Sequence, residues 1–318
     1  MPIDYLHNHK EFANLLSILE TETGIIPQLI EKDYWIMHVL YGLKQQGFEF
    51  ELKGGTSLSK GYKIIDRFSE DIDIYIKPSS NLTVETNPKK TKPSHVLSRK
   101  DYYDWLASNI KIDGIVSVER DEAFDNKKTY NSGGIRLIYP RVTAPVSGMK
   151  DGILLELGFD TVTPNNPLTI SSWAFDKANE TKAVEIKDNR AIDVLCYSPS
   201  YTFVEKLQTI VTKFRKEEQG GEELPNLMRQ YYDVFSLLGI DEVQKFIGTP
   251  EYLENKAARL SPSDLKVPLA ENEAFKLSNA ELRSRFIQRY KATSKLYYNG
   301  QPEFETLLAR IHEFLDKF

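Results

Sequence analysis

The chain has 318 residues, 41% of them hydrophobic and 27% charged, with 17 Gly, 15 Pro and a formal net charge of −5. That length suits about two domains, the composition excludes collagen-like, coiled-coil and disordered classes, and the mild negative charge leaves only local patches for any nucleic-acid contact. No run approaches the ~20 apolar residues of a bilayer span, and the opening MPIDYLHNH lacks the basic and apolar regions of a secretory leader, so a cytoplasmic protein without membrane contact is expected. The single Cys196 excludes an intramolecular disulfide, and the five histidines show no zinc-site spacing.

Phe12, Leu15, Leu16 and Leu19 recur at helical spacing. After Pro27 a second amphipathic run carries Leu29, Ile30, Trp35, Ile36, Val39, Leu40 and Leu43 up to Gly47. Residues 48–53 (FEFELK) predict a strand, Gly54-Gly55 a tight turn, 56–66 a helix opened by Thr and Ser, and 71–76 (DIDIYI) the next strand. The basic loop 77–100, rich in Pro, Ser, Asn and Lys, reads as an exposed insertion or mobile flap. Strand patterns resume at 134–139 (GIRLIY) and 153–159 (ILLELGF), with shorter candidates at 168–171 and 183–186. From Pro199 onward the pattern is helical: Phe203, Leu207, Ile210, Val211 and Phe214 form one stripe, Leu227, Met228, Tyr231, Val234, Phe235 and Leu238 another, and 303–318 closes the chain with a third apolar face. The expected class is α+β, with a mixed sheet flanked by helices in 1–198 and a helical domain in 199–318.

The chemistry concentrates in 51–76. Its glycines follow neither the P-loop nor the G-x-G-x-x-G spacing, but Gly54 and Gly55 leave backbone without Cβ atoms where a strand turns into a helix, a place where a phosphate can approach N–H groups. Ser57 adds a hydroxyl there. Asp71 and Asp73 alternate with Ile72 and Ile74, so on a strand both carboxylates share one face, with Cα atoms about 6.5 to 7 Å apart. Two acids so placed repel unless a cation joins them, which suits a hard divalent metal. A third acid, Glu156, interrupts the apolar run ILLEL, where an unpaired charge is costly. It is either a further metal ligand or the partner of a core arginine such as Arg136.

In these residues the sequence resembles the AbiEii/AbiGii-type nucleotidyltransferases, a group that includes abortive-infection toxins and the MenT toxins within the polymerase-beta-like superfamily. Glu31-Lys32-Asp33-Tyr34 is similar to the family's E-K-D-Y segment, Lys53-Gly54-Gly55-Thr56-Ser57-Leu58 with Lys60 to its G-G-T-x-L-x-K element, and Arg67 to Asp73 (RFSEDID) to its R-x-S-x-D-x-D signature. Glu205-Lys206-Leu207 and Arg229-x-x-x-Asp233 resemble later helical motifs, with Gln230-Tyr231 in place of the usual K-D pair. The resemblance implies a nucleotidyltransferase-type sheet, Lys206 and Asp233 completing an active site with Asp71 and Asp73, and Gly54, Gly55, Ser57, Ser69 and Lys206 holding the triphosphate. By spacing alone, Lys206 is a helix cation off the apolar stripe with its ammonium free, and Arg229 with Asp233 an i,i+4 pair.

The resulting expectation is transfer of a nucleoside monophosphate from an NTP to an acceptor, with Mg2+ or Mn2+ held by Asp71, Asp73 and Glu156 and with pyrophosphate released. The resemblance further implies a toxin or phage-defence role, an antitoxin partner, and RNA, such as tRNA, as acceptor. The alternatives are a nucleotidyltransferase for a small molecule such as an aminoglycoside, and a catalytically silent binding protein. Two basic stretches are candidates for RNA: the loop cations Lys89, Lys90, Lys92, Arg99 and Lys100, and the helix 281–295 with Arg283, Arg285, Arg289, Lys291 and Lys295 among Phe286, Tyr290, Tyr297 and Tyr298.

Overall fold

The alternation of apolar and polar residues along DIDIYI, and the unbroken apolar run ILLEL, build the centre of a sheet. The computed structural model describes residues 3–146, 149–182 and 185–318, and these form two units, Met1–Tyr62 with Phe68–Tyr197, and Lys63–Arg67 with Ser198–Phe318. The first unit contains α1 (Phe12–Thr23), α2 (Pro27–Gln45), β1 (Phe50–Lys53), a short helix α3 (Gly54–Thr56, continuing as a wide turn over Ser57–Gly61), β2 (Asp71–Ile76), α4 (Pro93–Asn109), β3 (Ser117–Arg120), β4 (Ser132–Ile138), β5 (Ile153–Gly158), β6 (Asn165–Ile170), α5 (Trp173–Thr181) and β7 (Ala191–Tyr197). The strands form one mixed sheet in the order β3-β4-β5-β2-β1-β7-β6. β5 runs parallel to β2 and β7 parallel to β1, while the β2–β1, β3–β4, β4–β5 and β6–β7 pairs are antiparallel.

Ile72, Ile74 and Ile76 are buried on one face of β2, and the acids and Tyr75 of the other face are half-buried. The fold is thus the α+β class that the sequence predicts. The second helix holds more polar side chains inside than its pattern suggested. Glu31, Lys32 and Asp33 are each no more than 1% exposed, among Ile30, Tyr34, Trp35 and Ile36, so each needs a partner.

Two local expectations are corrected, and a third falls partly outside the described residues. The helix over 56–66 instead begins at Gly54 and stops at Gly61: Tyr62 N–H donates to Ser57 O at 3.0 Å, a five-residue bond that widens the last turn, and Lys63 at φ 55° breaks the path. The loop 77–100 is no free flap. Arg99 is 0% exposed and donates to the carbonyls of Thr129 (2.9 Å), Lys90 (3.0 Å) and Glu85 (3.3 Å), and residues from Pro93 onward already belong to α4. Of the strand candidate 183–186, residues 183 and 184 lie outside the described residues, and Ile186 makes a single parallel bridge to Asp4.

The second unit contains α6 (Pro199–Gly220), α7 (Leu227–Leu237), α8 (Asp241–Phe246), α9 (Pro250–Arg259), α10 (Glu273–Lys276), α11 (Ala280–Lys291) and α12 (Phe304–Phe314). Pro199 opens α6, and Gly221 at φ 74° closes it by donating to Glu217 O. Its core joins Phe203, Leu207 and Ile210 of α6 to Leu227, Tyr231 and Val234 of α7, with Phe286 of α11 and Leu308 of α12. Among the described residues no helix is long and apolar enough to cross a membrane.

Candidate active site

On the half-buried face, strand register sets the acids in a row. Lys53 of β1 lies opposite Asp73 of β2, and Asp73 lies opposite Glu156 of β5. Asp71 stands two residues before Asp73 on the same face. Gly54 adjoins this row at φ 69°, and a Cβ there would overlap the Asp73 carboxylate, so glycine is required both by the backbone and by the acid beside it. The Thr56 hydroxyl donates to the Asp71 carbonyl at 2.6 Å, tying α3 to the first residue of β2.

Two lysines outside the expected site set pair with carboxylates here, one with Asp71 of the row and one with Asp160. Lys150 Nζ donates to Asp71 Oδ2 at 2.7 Å, and Lys53 Nζ to Asp160 Oδ2 at 3.1 Å, just past the end of β5. Asp71 Oδ1 is buried with no hydrogen-bond donor among the described residues. Lys53 is flagged in the sequence by its place ahead of Gly54-Gly55; Lys150 and Asp160 carry no local signal. Arg136 is committed to Asp121 and to the Asp151 carbonyl (2.6 Å), so it is not the arginine partner suggested for Glu156. Among the described residues no three His, Cys, Asp or Glu side chains converge into a ready cation site. The acid oxygens and the unfilled Asp71 Oδ1 are nevertheless the donor set that a hard divalent cation takes.

The nucleotide candidates separate. Gly54 lies at the row, Gly55 is buried behind it, and Ser69 is half-buried two residues before Asp71. Ser57 is 0% exposed. It sits against the thiol of Cys196, which burial pushes up to about 12 while the Ser57 hydroxyl pulls the other way. Its hydroxyl therefore faces the interior.

The E-K-D-Y residues are each committed to internal partners. Glu31 accepts from Val142 N (2.7 Å), Thr143 N (3.1 Å) and the Thr143 hydroxyl. Lys32 donates to the Lys150 carbonyl at 2.8 Å and lies 3.5 Å from Glu70; its burial lowers its pKa, and Glu70 and Asp71 oppose that. Asp33 holds Lys60 at 2.6 Å and accepts from Trp173 N at 2.9 Å. The Tyr34 hydroxyl meets His7 Nδ1 (2.9 Å) and Asn189 (3.0 Å).

In the helical unit, Asp233 is 0% exposed and holds three contacts: Arg67 Nε and Nη2, each at 2.6 Å, and Lys206 Nζ at 2.8 Å. Burial pushes the Asp233 carboxyl up, yet Arg67 and Lys206 outweigh it and hold it below its ordinary value. The expectation of a free Lys206 ammonium is corrected: α6 presents it inward, 8% exposed and paired. The basic helix is also largely committed. Arg289 binds Glu217 at 2.7 and 2.9 Å, Arg283 binds Glu305, and Tyr290 and Tyr297 are buried.

The mixed sheet bears carboxylates at paired positions of neighbouring strands, and the class of protein is that of the nucleotidyltransferases. The family model described as nucleotidyl transferase AbiEii toxin, type IV TA system, matches residues 38–310, and the chain belongs to that family of nucleotidyltransferase toxins. No curated protein sequence matches. The crystal structure of an antigenic nucleotidyltransferase-like protein from Paracoccidioides brasiliensis is similar over 74% of this chain and 97% of its own, at 13% identity and a TM-score of 0.37.

Proposed function

We propose that the chain transfers a nucleoside monophosphate from an NTP to an RNA acceptor, tRNA first among candidates, in a reaction that needs a divalent cation and releases pyrophosphate. The observation that carries this reading is the row of Asp73 and Glu156 with Asp71 beside it, opened by Gly54 and bordered by Lys53. In it, Asp71 and Asp73 would hold the cation, with Glu156 as the adjoining ligand; Mg2+ or Mn2+ bound there would supply positive charge against the developing negative charge of the transfer. Gly54 keeps the approach to Asp73 clear, and Lys53 offers an ammonium at the edge of the row. Gly55 and Ser69 contribute backbone and hydroxyl groups to the triphosphate.

The family resemblance assigns Lys206 and Asp233 to the same chemistry. Lys206→Met separates two roles for the lysine: a raised KM for NTP supports triphosphate contact, and a lowered melting temperature at unchanged KM supports a structural pair with Asp233. As a member of a toxin family, the protein acts in the cytoplasm against its own cell until an antitoxin partner neutralises it. Incubation with total RNA and each labelled NTP in turn, with and without Mg2+ or Mn2+, tests the proposal. Metal-dependent label on RNA is the expected result, whereas pyrophosphate release without labelled RNA refutes the RNA acceptor.

A further inference from the structure

The connection between β4 and β5 is fastened at several described points. Glu31 takes the amides of Val142 and Thr143, Arg141 pairs with Asp151 at 2.7 Å, Lys32 takes the Lys150 carbonyl at 2.8 Å, and Glu70 accepts from the Lys150 amide at 3.3 Å. These bonds deliver one side chain to the acids: the Lys150 ammonium, 2.7 Å from Asp71 Oδ2 and 4.9 Å from the centre of the Phe124 ring. The ammonium's own side chain is 39% exposed and that of Asp71 is 19% exposed, with Asp71 Oδ1 lacking a donor among the described residues. The backbone of Lys150 is thus held while its head group keeps a route to water.

The geometry points to Lys150 as a positioning residue of the transfer reaction: it is the resident counter-charge of Asp71, gives up that carboxylate to a divalent cation, and then turns its ammonium to the triphosphate. This inference rests on the proposed cation role of Asp71. A single positive charge on Asp71 Oδ2 satisfies one oxygen and offsets the repulsion between Asp71 and Asp73. An ammonium and a divalent cation cannot share one carboxylate at such short range without strong repulsion. Displaced, the partly exposed ammonium is in reach of an incoming polyphosphate, while Glu70 stays on the Lys150 amide and beside Lys32. Glu31 and Lys32 act through Lys150, since they hold only its backbone and the loop ahead of it.

Direct titration of the nucleotide-free protein with Mn2+, followed by the electron paramagnetic resonance signal of free Mn2+, tests the idea in the parent, Lys150→Met, Lys150→Arg and Asp71→Asn. Lys150→Met is expected to bind Mn2+ about tenfold more tightly, because the competing charge is gone. Its KM for NTP in pyrophosphate release is expected to rise about tenfold with kcat changed far less, and Lys150→Arg is expected to stay near the parent in both. Unchanged or weaker Mn2+ binding by Lys150→Met, with Asp71→Asn still abolishing it, overturns the role of Lys150 alone. Mn2+ binding that survives Asp71→Asn overturns the cation site and this inference together.

Discussion

Asp71 and Asp233 are both aspartates beside lysines, in the sheet unit and the helical unit respectively, but they are solvated differently. Asp71 has a 19% exposed side chain, one oxygen on a half-exposed lysine and the other without a donor among the described residues, whereas Asp233 is fully buried with both oxygens held by Arg67 and Lys206. A carboxylate that keeps some water and an unfilled oxygen exchanges partners at low cost. One that has lost its water to two buried cations holds them, because removing any member strands charge in a low-dielectric interior. The difference is one of solvation and pairing between two acids that stand in motifs of the same family signature.

The largest expected effect tests the first half of that contrast. Asp71→Asn and Asp73→Asn should each lower nucleotide transfer at least about a thousandfold, while denaturant unfolding changes by less than about 1 kcal/mol, because only a partly exposed pair is lost. Retained activity in either variant would remove the acid row from the chemistry. The reciprocal test is Asp233→Ala, which leaves Arg67 and Lys206 buried without a counter-charge and should destabilise the chain by about 3 to 5 kcal/mol in the same unfolding assay. An Asp233→Ala protein as stable as the parent, but inactive, would place Asp233 with the working acids.

Gly54→Ala sharpens the comparison from the backbone side. The new Cβ must displace the Asp73 carboxylate and sit at φ 69°, for a cost of about 1 to 2 kcal/mol, and misplacing one acid should lower turnover about a hundredfold. Thermal unfolding and a pyrophosphate assay on one preparation give both numbers. The smallest effect concerns neutral buried groups. Burial first, and then the charge on His38, pull His7 down to about 4, and burial lowers His38 as well. The unfolded chain takes up protons at these histidines near pH 6.5, before the native chain does. Their contribution is therefore intact above that pH and declines as pH falls toward 4. The melting temperature of the parent should fall over that window more steeply than that of His7→Phe.

Much of the placement of the candidate residues was legible as local pattern. Period-2 alternation placed Asp71 and Asp73 on one face of β2, since side chains of a strand alternate whatever packs against them. The interrupted apolar run marked Glu156, and the glycine pair marked the turn into α3. The α+β class followed from strand patterns ahead of helical stripes. What the sequence did not contain was which charge meets which. The same helical spacing that suggested a free Lys206 is compatible with the buried ion pair it makes. No local feature of MKDG announces that Lys150 reaches Asp71 or that Lys32 and Glu70 hold its backbone. Arg99, one cation among several in a basic loop, became a fully buried anchor because neighbouring carbonyls at Thr129, Glu85 and Lys90 needed a donor. Periodicity is a property of the chain's own geometry, so the sequence alone determines faces and elements. Desolvation and ion pairing depend on groups as distant in sequence as Arg67 and Asp233, 166 positions apart, so only the tertiary structure decided which charged residues are buried in pairs and which stay partly exposed.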